Sequence, residues 1–153
     1  MHINIDHTDR KIIELLQKDG RMPNTVIAKK LKISEATVRS RLNRLIKEKY
    51  IQIVAVSNPL KLGFDIVGML KIDVDVKKVE SVSEELNKID QIWYIVHTTG
   101  SSDIYAEFNA NSINELNDFI SQKIHKIDGI IKTETSLVLK YIKRRYDWKT
   151  AIK

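Results

Sequence analysis

Residues 23–49 read PNTVIAKKLKISEATVRSRLNRLIKEK. Two apolar rhythms of helical spacing are separated by a short break at Lys32-Ile33. On a helical wheel for the second rhythm, Val38, Leu42, Leu45 and Ile46 fall on one side and form an oily stripe. Ala36, Thr37, Ser40, Asn43, Arg44 and Lys47 fall on the other, with Arg39 and Arg41 at its edges. Small side chains in the middle of that face let the backbone approach a surface closely. Long guanidiniums can reach phosphates or base edges. The pattern is expected of a helix that lies in the DNA major groove, the alternative being a surface helix with solvated charge. Ser34 is suited to cap this helix, and Glu35 suits the positive end of its dipole.

Upstream, Asp6 or Thr8 caps a first helix, with Asp9 in its first turn and Ile12, Ile13, Leu15 and Leu16 buried. Gly20 is placed to close it in a left-handed turn. Pro23 precedes a second helix capped near Asn24 or Thr25, with Val26, Ile27, Ala28 and Leu31 inward. Three such helices make a helix-turn-helix unit. Downstream, Tyr50–Val56 is β-prone and suits a wing or linker strand. Ser57-Asn58-Pro59 breaks the pattern. The expected division is a helix-turn-helix domain over residues 1–56, a linker over 57–65, and a second domain over 66–153.

The second domain alternates strand and helix signals. Leu70, Ile72, Val74 and Val76 alternate with charged residues. Val79, Val82, Leu86 and Ile89 follow helical spacing. Two β-rich runs, 91–99 and 104–110, flank a turn at Gly100-Ser101-Ser102. Ser112 and Glu115 are placed to form a capping box ahead of Ile113, Leu116, Ile120, Ile124 and Ile127. Residues 130–142 form the last strand. The order βαββαβ predicts a ferredoxin-like α+β fold, antiparallel, with both helices on one face. Met69, Trp93 and Ile95 are expected on the other face, where a partner subunit would cover them.

Charge divides the 153-residue chain unevenly. Residues 1–64 carry thirteen Lys and Arg against six Asp and Glu, a net +7. Residues 65–139 are net −6, and the tail from Lys140 is basic again. A basic head on an acidic body assigns polyanion binding to the head. With no cysteine there are no disulfides or thiolate metal sites, and the four histidines lack metal-binding spacing. No apolar run is long enough for a transmembrane helix. The N-terminus lacks a signal-peptide core, so a cytoplasmic, nucleoid-associated protein is expected. No nucleophile–base pairing or phosphate loop is legible, so neither an enzyme nor a cofactor is expected.

The whole chain resembles the Lrp/AsnC (feast/famine) transcriptional regulators. The likeness rests on Ile5-Asp6, Asp9, Ile12-Ile13 and Leu16; on Arg21, Ile27-Ala28, Leu31, Ile33-Ser34, Val38, Arg41-Leu42, Leu45 and Ile51; on Asn58-Pro59 with Leu62-Gly63; on Thr99 to Asp103; and on Gly129-Ile130, Thr133, Thr135 and Val138-Leu139. Lys49 stands where the family commonly has glycine. The resemblance implies dimers packed through the sheets of the second domain, often assembled as octamers, and a small effector, usually an amino acid.

The expected contacts with double-stranded DNA are Ser34, Thr37, Arg39, Ser40, Arg41 and Arg44. Those with the effector are Gly100, Ser101, Ser102, Asp103, Thr133 and Thr135. Gly100 would let a charged group approach backbone N–H groups, and Asp103 would take an ammonium. The function expected is a sequence-specific regulator responsive to a small molecule. The alternative is an architectural, chromatin-like protein that wraps DNA without an effector.

Overall fold

The computed structural model describes residues 5–146. The chain forms two compact units: residues up to Val56 together with the segment from Lys143, and Ser57–Ile142. The described part of the tail, residues 143–146, thus groups with the head, whereas the expected division put it in the second domain.

The head holds α1 (His7–Lys18), α2 (Asn24–Leu31) and α3 (Glu35–Lys47). Their apolar stripes meet in one core of Ile12, Ile13, Leu16, Ile27, Ala28, Val38 and Leu45. Leu15, Leu31, Ile33 and Leu42 pack around it half-buried. Val26 and Ile46, at the margins of their stripes, stay exposed. Asp6 caps α1 in a full capping box: its carboxylate accepts from the Asp9 N–H, and the Asp9 carboxylate accepts from the Asp6 N–H. Gly20 does not take the left-handed conformation; Asp19, extended, ends α1. Pro23, not Asn24 or Thr25, sits at the cap position of α2 and offers no side-chain bond. Tyr50–Val56 forms no strand, so the expected wing is absent from this segment.

Lys49 ends α3 as the family's glycine would. Its φ is 60°, in the left-handed region. The Tyr50 N–H bonds to the Leu45 carbonyl and the Lys49 N–H to that of Ile46, which is the Schellman pattern. A Cβ in this conformation costs about 1–2 kcal/mol, part of which glycine returns through unfolded-chain entropy. Lys49→Gly is therefore expected to stabilise the head by about 0.5–1 kcal/mol, read as a higher denaturant midpoint at unchanged m-value.

The body holds β1 (Ile66–Val74), α4 (Val79–Asn87), β2 (Ile92–His97), β3 (Ile104–Ala110), α5 (Ile113–Asp118) and β4 (Ile130–Leu137). The sheet order β2-β3-β1-β4 is antiparallel throughout and is the ferredoxin-like arrangement. β4 ends at Leu137, five residues short of the expected limit. Leu70, Ile72, Ile104, Ala106 and Phe108 from the strands pack against Val82, Leu86, Phe119 and Ile124. Beyond α5 the chain widens into a π-turn at Phe119–Lys123 and tightens into a 3₁₀ turn at Ile124–Lys126. Phe119, at the start of the π-turn, is fully buried, and Ile113, at the start of α5, is exposed. Ser112 caps α5 as expected, but the Glu115 carboxylate bonds Asn111 rather than closing a capping box.

A bulge between Ile92 and Tyr94 shifts the parity of β2. Ile92 and Ile95 both pack on the helix-side core. Trp93 and Tyr94 are both exposed, as is Met69. The expectation that Ile95 lies on the outer face fails for this reason: one extra residue reverses the alternation.

Candidate nucleic-acid interface and effector site

Ser34 holds the N-terminus of α3 by accepting the Thr37 N–H at 3.1 Å. The Ser34 and Thr37 hydroxyls lie 2.8 Å apart, so Ser34 is first a structural cap. Thr37, Ser40, Arg41 and Arg44 are brought together with Ala36, Asp6 and Asp9 around an open cleft of about 650 Å³. Arg39 is not part of it; it lies outward, paired to Glu35 at 2.6 Å.

The arginines of the cleft are held. Arg41 Nη1 donates to Asp6 Oδ2 at 2.6 Å and to Asp9 Oδ1 at 3.0 Å. Arg44 Nη2 donates to Asp9 Oδ2 at 2.5 Å, and its Nη1 lies 3.5 Å from Glu48. Sequence reasoning placed Asp6 as a possible cap and Asp9 only in the first turn of α1. Their spacing of three puts them one turn apart, and that spacing could have suggested a shared partner.

The Asp9 N–H first, then the Arg41 guanidinium, hold the Asp6 carboxyl below its usual value near 3.8. A depressed folded-state pKa stabilises above the unfolded value and loses that stability as pH falls through the folded one. Asp6→Asn keeps the cap but removes the charge. The wild-type head is expected to lose stability more steeply than Asp6→Asn below about pH 4, measured by denaturation followed by circular dichroism.

In the body, the hairpin joining β2 and β3 turns at Gly100, whose φ is 125°. Thr98 bonds back to the carbonyls of Ser102 and Asp103. Asp103 is tied to β1: its N–H reaches the Ile72 carbonyl and its Oδ2 accepts the Val74 N–H at 2.9 Å. That oxygen fastens the loop to the sheet. Ser101, Ser102 and Thr133 line a small cavity of about 110 Å³ with Lys71, Asp73, Lys132 and Glu134. Gly100, Asp103 and Thr135 are not among its lining residues. Thr135 is paired with Leu70 and Thr133 with Ile72, so both threonines share the face that carries the helices. Thr133 Oγ1 lies 3.1 Å from His125 Nε2.

Sequence reasoning missed the four charged residues of this cavity. Lys71 and Asp73 are register partners of Glu134 and Lys132. Lys71 and Glu134 form an ion pair at 2.8 Å, which holds the Glu134 carboxyl below its usual range. One Asp73 oxygen is buried without a hydrogen-bond partner among the described residues. The alternation Lys71-x-Asp73 against Lys132-x-Glu134 was legible, but its register was not.

A basic three-helix head and a βαββαβ body with a charged cavity define a DNA-binding protein carrying a ligand-binding domain. The comparisons agree. Residues 5–52 match a winged helix-turn-helix DNA-binding model, and residues 68–148 match the Lrp/AsnC ligand binding domain. The chain belongs to the Lrp/AsnC family of transcriptional regulators. An uncharacterised HTH-type transcriptional regulator of Pyrococcus abyssi is 42% identical over 137 residues, covering 89% of this chain and 87% of that one. The structure of Escherichia coli AsnC aligns at TM-score 0.80 and 28% identity, covering 93% of this chain and 97% of that one. A Neisseria meningitidis transcriptional regulator solved as its L-Met complex shares the fold, at TM-score 0.81 and 21% identity, over 94% and 96% of the two chains. Among the described residues no helix is long and apolar enough to cross a membrane, and no group of His, Cys, Asp or Glu could hold a metal ion.

Proposed function

We propose that the chain is a sequence-specific regulator, acting in the cytoplasm on nucleoid DNA, whose assembly or DNA binding responds to a small effector, an amino acid. The observation that carries the DNA half is the α3 face, where Thr37, Ser40, Arg41 and Arg44 surround one open cleft. Ser34 and Arg39 flank it and serve backbone phosphates. The effector half is supported by the body cavity. Its two lysines and two carboxylates offer opposite charges within one small volume, which suits a zwitterion. Gly100 and Asp103 belong to the loop that brings Ser101 and Ser102 to that cavity, and Thr135 to the strand that brings Thr133 to it. The relative solved as an L-Met complex supports an amino acid as the ligand class.

The exposed Met69, Trp93 and Tyr94 on the outer sheet face support a homodimer through that face. Dimers then associate further, as octamers, and present paired α3 helices to half-sites about 34–36 Å apart or multiples of it. The effector acts by differential affinity for two assembly states. Calorimetric titration with each of the twenty amino acids tests the sensing half. Saturable binding by one or a few is expected, lost on Asp73→Ala; no binding by any, with DNA binding intact, would refute it.

A further inference from the structure

Among the described residues of the head, one charged side chain is fully buried: Asp9. It sits on α1 and not on α3, the helix that faces DNA in the reading above, on which this inference rests. Its two oxygens are divided between two arginines of α3, Oδ1 to Arg41 and Oδ2 to Arg44. Oδ2 also accepts the Asp6 N–H. The Asp9 side chain is 1% exposed, against 29% for Arg41 and 33% for Arg44. The guanidiniums thus reach the cleft while their counter-charge lies beneath it.

We infer that Asp9 is a specificity-determining residue: it withholds Arg41 and Arg44 from indiscriminate phosphate contact and leaves them as fixed, directional donors. An arginine that swung out to a phosphate would strip a buried carboxylate of one of its cations, which is strongly disfavoured. Glu35 cannot do this to Arg39, because both partners of that pair are well exposed and screened by solvent. Indiscriminate binding grows with each phosphate neutralised and counterion released. A cation already neutralised from within adds little to that term. A guanidinium held in place can still donate to a base edge, which demands direction. The net +7 of residues 1–64 therefore overstates their grip on arbitrary DNA.

The test compares wild type with Asp9→Asn, which keeps an acceptor for the Asp6 N–H and loses the charge. Binding is measured by fluorescence anisotropy across a KCl series. The probes are a duplex selected by the wild-type protein from a random library and a duplex of scrambled sequence. Asp9→Asn is expected to bind the scrambled duplex about tenfold tighter at low salt, and the specific-to-non-specific ratio is expected to fall. The slope of log K against log salt should steepen by about 1–2 per protomer, since each added phosphate contact contributes about −0.9.

A role confined to capping and packing would lower both affinities together and leave the slope unchanged; that result overturns the inference. Should Asp9→Asn fail to fold, Arg44→Gln measured on the scrambled duplex decides. Arg44 is held from within by Asp9 and Glu48, so its removal should leave the slope unchanged. A slope shallower by about 0.9 per protomer would show that Arg44 was neutralising a phosphate, and overturns the inference. Ser40→Glu is run beside them. If it abolishes selection of the operator while either slope goes against the expectation, the inference alone falls. If Ser40→Glu is silent, the assignment of α3 falls with it.

Discussion

A Ser40→Glu protein is expected to lose at least about two orders of magnitude in affinity for a selected operator while the head stays folded. Ser40 is exposed and lines the cleft together with Arg41 and Arg44. A glutamate there lies four residues ahead of Arg44, the favourable orientation for a helical ion pair, so helix stability is kept or slightly raised. Against DNA the same carboxylate meets phosphates and base edges with the wrong sign and occupies the space a small hydroxyl left open. Like-charge juxtaposition in an interface costs several kcal/mol, which is about a hundredfold or more. Ser40→Ala, which removes only the hydroxyl, is expected to cost about tenfold or less. Electrophoretic mobility shift at fixed salt measures both, and circular dichroism checks the fold. Operator affinity unchanged in Ser40→Glu would show that another surface reads DNA.

The three helices of the head were legible because their signals are local. Asp6, Ser34 and the 3.6-residue spacing of Val38, Leu42 and Leu45 each act within one or two turns. The βαββαβ order was legible for the same reason, since alternation and turn residues mark each element. Long-range pairings were not legible. Arg41 and Arg44 meet Asp9 more than thirty residues away in sequence. Lys71 and Asp73 meet Glu134 and Lys132 only through the β1–β4 register. Helical-wheel reasoning therefore placed the arginines on the polar side of α3 and left out what holds them. Two local features also escaped. The β2 bulge reversed Ile95, and the π-turn after α5 begins at a buried Phe119 that the spacing left out, because periodicity assumes an unbroken repeat. Lys49 shows the converse. A residue poorly suited to a left-handed φ still adopts it, because the Schellman bonds and the α3 core over-determine the turn.

The largest stability effect is expected at Gly68, in the β1 strand at the centre of the body sheet. Gly68 is the register partner of Phe108 on β3. A Cβ at Gly68 would lie 2.5 and 2.8 Å from two ring carbons of Phe108 and 2.9 Å from the Ser136 carbonyl oxygen. The ring has little room to move: Phe108 is fully buried, and it packs on Phe119 with centroids 5.0 Å apart. The carbonyl belongs to β4 and moves only with the strand. Gly68→Ala therefore overpacks the core by one methyl group and is expected to destabilise the body by about 3 kcal/mol. For a unit of this size that lowers Tm by about 10–20 °C. Phe108→Leu shortens the ring that blocks the methyl and leaves a partial cavity, costing about 2 kcal/mol alone. In the double variant each change relieves the other, so the combined loss should be smaller than the sum by at least about 1 kcal/mol. Additive losses would show that the two sites do not share one space. Since β1 also carries Lys71 and Asp73 into the body cavity, Gly68→Ala should weaken the amino-acid binding proposed for it even at temperatures where the body remains folded.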